Sequence, residues 1–208
     1  MGTAIIEKTG MIEWGVAARP LTGQTVSGDL HLVECCEHGA LLAVIDGVGH
    51  GGQAGAVAEA AAKILREHAE EPVMALVQRC HEALARTRGV VMTLASVDVL
   101  DNTVTWMGVG NVEARLFRVE AETSYPCEHI LLRSGLIGLQ LPALQASMMS
   151  LAPGDLLVFA TDGIQVGFEA RIKLNDPVQQ IADRILKQYF KGTDDALVLV
   201  VRYFGSSL

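Results

Sequence analysis

Three aspartates share one sequence context. Asp46 closes the apolar run Ala40 to Ile45 and is followed by Gly47. Asp162 comes just after a second apolar run, ending at Ala160, and is followed by Gly163. Asp194 stands just before a third, beginning at Ala196. Carboxylates at the ends of strands far apart in sequence can meet at one sheet edge. Oxygen-only ligands of this kind suit hard divalent cations, Mg²⁺ or Mn²⁺, rather than zinc. Two such ions ~3.5–4 Å apart can generate a hydroxide and clamp a phosphoryl group during in-line displacement. Taken singly, each aspartate has a plainer reading. Asp-Gly after a strand is a common turn, and Asp194-Asp195 equally caps or starts the last strand. The set, not any member, carries the inference.

The stretch after Asp46 is rich in glycine: Gly47, Gly49, Gly51 and Gly52 surround Val48 and His50. Such a turn presents a carboxylate and bare backbone to a ligand. His50 is open between two roles, an acid or phosphate contact and a loop histidine bonded to backbone. The loop lacks the Gly-Lys-[Ser/Thr] of a P-loop, and Ser27 lacks the G-x-S-x-G setting of a nucleophile. His31, His38, His68, His81 and His129 share no ligand spacing, and Trp106 and Met107 read as core.

Composition narrows the classes. Of 208 residues, 50% are hydrophobic and 19% charged, which supports a buried core and argues against disorder. The net charge of −8, with no lysine or arginine cluster, makes nucleic acid and anionic membrane poor partners. No apolar run approaches the ~18 residues of a membrane span, and Met1 to Gly10 lacks the features of a secretory signal. The expected location is cytoplasmic, and Cys35, Cys36, Cys80 and Cys127 are expected to be reduced thiols.

The elements that must position these residues follow from periodicity. Strands are expected over 11–18, 30–36, 40–45, 90–100, 103–109, 112–119, 130–133, 147–151, 155–160 and 196–203, with a loop over 121–127 and an irregular segment over 134–144. Val57, Ala61, Ile64 and Leu65 predict a helix over 53–69. A second starts at Pro72, and a third covers 177–189. Hairpins dominate and strict βαβ alternation is absent, so the expected class is α+β, antiparallel sheets covered by helices. The whole chain, 1–208, reads as one domain.

Ser27-Gly28-Asp29, Asp46-Gly47-Val48-Gly49-His50-Gly51, Thr161-Asp162-Gly163 and Asp194-Asp195 occur in the order and context of the metal-dependent Ser/Thr protein phosphatases, the PPM family. More narrowly they resemble the bacterial branch typified by SpoIIE, RsbU and RsbX, as do Met92-Thr93-Leu94, the Gly108-to-Asn111 loop and Ser134-Gly135-Leu136-Ile137-Gly138. The resemblance covers about Trp14 to Val201. It implies a four-layer αββα sandwich with two Mn²⁺ or Mg²⁺ ions. Asp46 would bridge them, the Gly47 carbonyl would bind one, and Asp162 and Asp194 would hold the other. Asp29 would orient a water, and Asp195 is a secondary ligand candidate, since the first residue of the pair matches the family's ligand. Many eukaryotic members carry a candidate general-acid histidine directly after Asp-Gly; here that residue is Val48, and His50 lies two further on. No arginine matches a phosphate clamp beyond Arg19, which precedes the Ser-Gly-Asp segment. A free-standing domain of this size resembles the RsbX type. That implies phosphoserine and phosphothreonine on STAS-domain stressosome proteins as substrates. The alternatives are an RsbU- or SpoIIE-like phosphatase of an anti-anti-sigma factor, and a non-catalytic partner-binding module on the same fold.

Overall fold

The structure, a computed structural model, describes residues 7–8, 10–119 and 127–205. In chain order the elements are β1 (Glu7–Lys8), β2 (Ile12–Arg19), β3 (Asp29–Cys36), β4 (Gly39–Gly47), α1 (Gly52–Glu67), α2 (Val73–Ala83), β5 (Val90–Asp98), β6 (Thr103–Val109) and β7 (Glu113–Phe117). They continue with β8 (Cys127–His129), β9 (Leu132–Arg133), β10 (Ser147–Ser150), β11 (Leu156–Ala160), a 3₁₀ turn at Phe168–Arg171, α3 (Val178–Tyr189) and β12 (Ala196–Tyr203).

The strands form two sheets. One has the order β1-β2-β12-β11-β7-β8, the other β10-β6-β5-β4-β3, with β9 beside β6. All pairings are antiparallel except β6 with β9, which is parallel. The expected α+β class, with helices outside two sheets, is the observed one. Most strands lie where periodicity put them. Cys127, expected to end a loop, instead begins strand β8, which pairs with β7. The rest of that loop, 121–126, is outside the described residues, as are the first six residues. Among the described residues no helix is long and apolar enough to cross a membrane.

The uninterrupted apolar runs mark strands buried on both faces. In β4, Ala40, Leu42 and Val44 point between the sheets, while Leu41, Ala43 and Ile45 point at the helices. In β12, Leu197, Leu199 and Val201 face the other sheet, and Val198 and Val200 face α3. Helix α1 packs on β3 and β4 through Ala54, Ala58, Ala61, Ala62 and Leu65. Those small side chains let its backbone come close to the sheet. Helix α3 covers β2 and β12 through Val178, Ile181, Ala182 and Ile185.

The start of α3 is fixed to β2 by Gln179. Its side-chain oxygen accepts the Val16 N–H at 3.0 Å, and its amide donates to the Val16 carbonyl at 2.8 Å. The glutamine thus serves as a partner strand for a stretch of β2 beyond its pairing with the short β1. Gly15 makes room for it: a Cβ there would lie 2.6 Å from the backbone N and Cα of Gln179. Gly15→Ala is therefore expected to push α3 off the sheet and cost about 1–3 kcal/mol, read by urea unfolding. A neutral substitution would show that the contact yields easily.

Candidate active site

The site follows from the alternation of the strands. Continuing each inward-facing row to the same end of the sandwich reaches a polar group. The row Ala40-Leu42-Val44 leads to Asp46, and Leu157-Phe159 leads to Thr161. Read backwards, Leu199-Leu197 leads to Asp195. On β3, Asp29 is paired directly opposite Asp46, and cross-strand partners put their side chains on one face. The gap between the sheets is thus apolar along its length and acidic at this end.

Two of these groups tie the sheets together. The buried Thr161 hydroxyl donates to Asp29 Oδ2 at 2.7 Å and accepts the Leu197 N–H at 2.8 Å. Asp195, 2% exposed, accepts the Leu21 N–H on Oδ1 and the Gly28 N–H on Oδ2, both at 2.7 Å. Its two oxygens hold the segment that leads into Asp29. Asp195 is thereby a brace for the site rather than a cap of the last strand. Ser27 accepts the Asp29 N–H at 3.0 Å, a local turn that starts β3.

The glycines of both Asp-Gly pairs answer to packing rather than to turn geometry. A Cβ on Gly47 would lie 2.2 Å from the Ala54 carbonyl of α1, and one on Gly163 would lie 1.9 Å from the Asp195 carbonyl. Gly47 sits within β4, and its N–H donates to the Gly28 carbonyl at 3.1 Å. Gly49 and Gly51 do need their freedom, with φ of 99° and 71°.

Asp162 and Asp194 come from the opposite sheet. Asn111, in the loop between β6 and β7, donates to Asp162 Oδ2 at 2.8 Å. Asp194 Oδ1 accepts the Asp195 N–H at 2.9 Å. Asp46, Asp194, Asn111 and His50 line one cleft of about 230 Å³. His50 is on its exposed rim. Arg19 does not reach toward the carboxylates: its guanidinium lies over the Phe190 ring, 4.7 Å from the centroid. Thr161 and Asn111 entered the sequence reading only as neighbours inside motifs, with no role assigned, and Arg88, which donates to the Val48 carbonyl of the glycine loop, was not singled out. The first was reachable by extending the strand alternation one step; the other two act across long sequence separations.

The electrostatics are those of anions crowded together. Burial first, then Asp29, Asp162, Asp194 and Asp195, push the Asp46 carboxyl up to about 8. Burial, with Asp195, Asp162 and Asp194 behind it, raises Asp29 to about 7 despite the Thr161 hydrogen bond. Asp162 is raised as well, by burial and Asp194, against the opposing pull of Lys191 and Asn111. In this cluster carboxylates outnumber cations. Among the described residues no three His, Cys, Asp or Glu side chains are grouped to enclose an ion by themselves. Mg²⁺ and Mn²⁺ do not require that, because Mg²⁺ in particular keeps several waters and takes one or two carboxylates. A hard-oxygen set, short of cations and open to a cleft, fits such ions.

Comparisons with known proteins bear on the family and the fold. The family model for Stage II sporulation protein E (SpoIIE) matches residues 37–204. The chain belongs to the SpoIIE family. Its enzyme class is that of the metal-dependent protein serine/threonine phosphatases, as the motifs implied. Phosphoserine phosphatase RsbX of Bacillus subtilis (strain 168) is 24% identical over 180 residues, covering 86% of this chain and 88% of that protein. A chain from a structure of the bacterial stressosome, described as a modular system adapted to control secondary messenger signalling, is 29% identical with a TM-score of 0.83. That match covers 92% of this chain and 99% of the other. A crystal structure of RsbX in complex with magnesium superposes with a TM-score of 0.85 at 21% identity, covering 97% of this chain and all of that one.

The raised carboxyls of this SpoIIE-family domain have a measurable consequence. Above about pH 4 the folded, metal-free protein keeps protons that the unfolded chain releases, on Asp29 up to about pH 7 and on Asp46 up to about pH 8. The stability they contribute is full below the unfolded value and lost as pH rises through the folded one. In chelator, the melting temperature is expected to fall from about pH 5 to about pH 8.5. Asp46→Asn removes one of the two groups, so its fall is shallower and it melts above the wild type at the alkaline end. A wild-type profile that stays flat would contradict the crowding described here.

Proposed function

We propose that this chain is an RsbX-type phosphatase that hydrolyses phosphoserine and phosphothreonine on STAS-domain proteins of a stressosome, and that residues 1–208 form one catalytic domain acting in the cytoplasm. The observation that carries the reading is the meeting of Asp29 and Asp46 from one sheet with Asp162 and Asp194 from the other at one end of the sandwich, beside a cleft lined by Asp46 and Asp194. The likeness to RsbX and to a stressosome chain supports the choice of substrate.

In this reading Asp46 and the Gly47 carbonyl hold metal on one side of the cleft, and Asp162 and Asp194 hold it on the other, with two Mn²⁺ or Mg²⁺ ions in all. The ions supply a water acidic enough to act as nucleophile and positive charge for the phosphoryl oxygens. The residues of the chain do the positioning. Thr161 occupies one oxygen of Asp29, leaving the other to accept a hydrogen bond from the attacking water. Asp195 fixes the backbone of Leu21 and Gly28 around it and is a brace rather than a ligand. Asn111 sets the orientation of Asp162. His50, exposed and lining the cleft, would return a proton to the departing serine or threonine oxygen. Ser27, engaged with the Asp29 N–H, is not a nucleophile, and no phosphoenzyme forms.

Phosphate release from a phosphorylated STAS-domain protein tests the reading. Turnover is expected with Mn²⁺ and not with chelator. Asp46→Asn and Asp162→Asn are each expected to lower it by more than about 100-fold, the upper end of what loss of a supporting partner costs at a metal site, with the fold retained. Turnover that persists in chelator, or in Asp46→Asn, would overturn the assignment. Faster turnover of a phosphorylated anti-anti-sigma factor would move it to the RsbU or SpoIIE type.

A further inference from the structure

A phosphate monoester carries up to two negative charges and must approach a floor of carboxylates. Four cations lie at this end of the sandwich, and three of them are committed elsewhere. Arg19 lies over Phe190. Arg88 donates through Nη1 to the Val48 carbonyl at 3.0 Å and through Nη2 to Gln53, and so fastens the glycine loop to the start of α1. Arg133, whose carbonyl accepts the Gly110 N–H, turns its guanidinium to Gln145.

Lys191 differs from these. It is exposed, and its ammonium donates to the backbone carbonyl of Asp162. An ammonium has three donors, so that bond leaves two for another acceptor. The carbonyl it holds belongs to the residue whose carboxylate stands among the site's acids. Its backbone is also held. The Lys191 N–H donates to the Gly163 carbonyl at 2.9 Å, the Gln165 N–H donates to the Tyr189 carbonyl at 2.8 Å, and Ile164 bridges Phe190 between them. The end of α3 is therefore stitched to the residues that follow Asp162, which keeps the Lys191 backbone beside that strand end.

We propose that Lys191 is the phosphate-binding cation of this site, contacting the phosphoryl oxygens of a phosphoserine or phosphothreonine side chain. This rests on the phosphatase reading above. Lysine serves phosphate as a compact point charge rather than as a planar fork. That matches the departure of this chain from a phosphate-clamping arginine.

The test is steady-state kinetics of Lys191→Met and Lys191→Arg with Mn²⁺ and a phosphoserine peptide, together with inhibition by inorganic phosphate. Loss of one charge-assisted hydrogen bond predicts a KM about 10- to 100-fold higher in Lys191→Met. The same factor is expected in the phosphate inhibition constant, with the melting temperature and the Mn²⁺ concentration for half-maximal activity unchanged. Lys191→Arg keeps the charge and is expected to recover most of the loss. An unchanged KM and inhibition constant would overturn the proposal. So would a Lys191→Met enzyme that binds Mn²⁺ more tightly at unchanged KM, which would make Lys191 a stand-in for metal. So would a fall in melting temperature and kcat at unchanged KM, the signature of a structural role. A wild type with no metal-dependent turnover would instead bring down the phosphatase reading itself.

Discussion

The structure depends on one unfavourable interaction: carboxylates held close together in a half-buried cleft with little positive charge near them. Asp29 and Asp46 face each other across β3 and β4, and Asp162 and Asp194 oppose them from the second sheet. Burial and mutual repulsion each favour the protonated form of such groups. A fold spends stability to keep them there, and the two sheets supply it. Their shared core runs the length of the sandwich, from Ile12 and Tyr203 to Val44 and Phe159, and ends where the acids begin.

Holding anions together requires neutral fastenings, and the chain provides them on both sides. The Thr161 hydroxyl joins Asp29 to the opposite sheet. Asp195 uses both oxygens on backbone N–H groups, so one carboxylate of the cluster organises the loop that delivers another. Gly47 and Gly163 let α1 and the start of β12 press directly on the two strand ends. These contacts fix the positions of the acids without neutralising them. The charge of the site is left to be balanced by what binds there.

Much of this was legible in the sequence. β4, β5, β6, β11 and β12 are apolar enough, and bounded clearly enough, that periodicity located them, and the Asp-Gly and Asp-Asp signals marked the end of the sandwich where the site lies. Short edge strands were not legible. β1 has two residues and β8 three, too few to show a period, and both are defined by their neighbours. The Asp-Gly pairs were legible for a partly different reason than the true one. Glycine at 47 and 163 is required by backbone packed against it, which a single sequence does not display. The separate jobs of Asp194 and Asp195 depend on which face of β12 each reaches. The places of Arg88 and Lys191 depend on contacts with Val48 and Asp162, far away in the chain.

The central claim is that the acidic end of the sandwich is completed by divalent metal. The most direct measurement is anomalous diffraction at the manganese edge from crystals soaked in Mn²⁺. Manganese is expected in contact with the Asp46 carboxylate and the Gly47 carbonyl, and held by Asp162 and Asp194. Crystals that show no manganese at these residues, from protein that nevertheless hydrolyses phosphoserine in Mn²⁺, would contradict it.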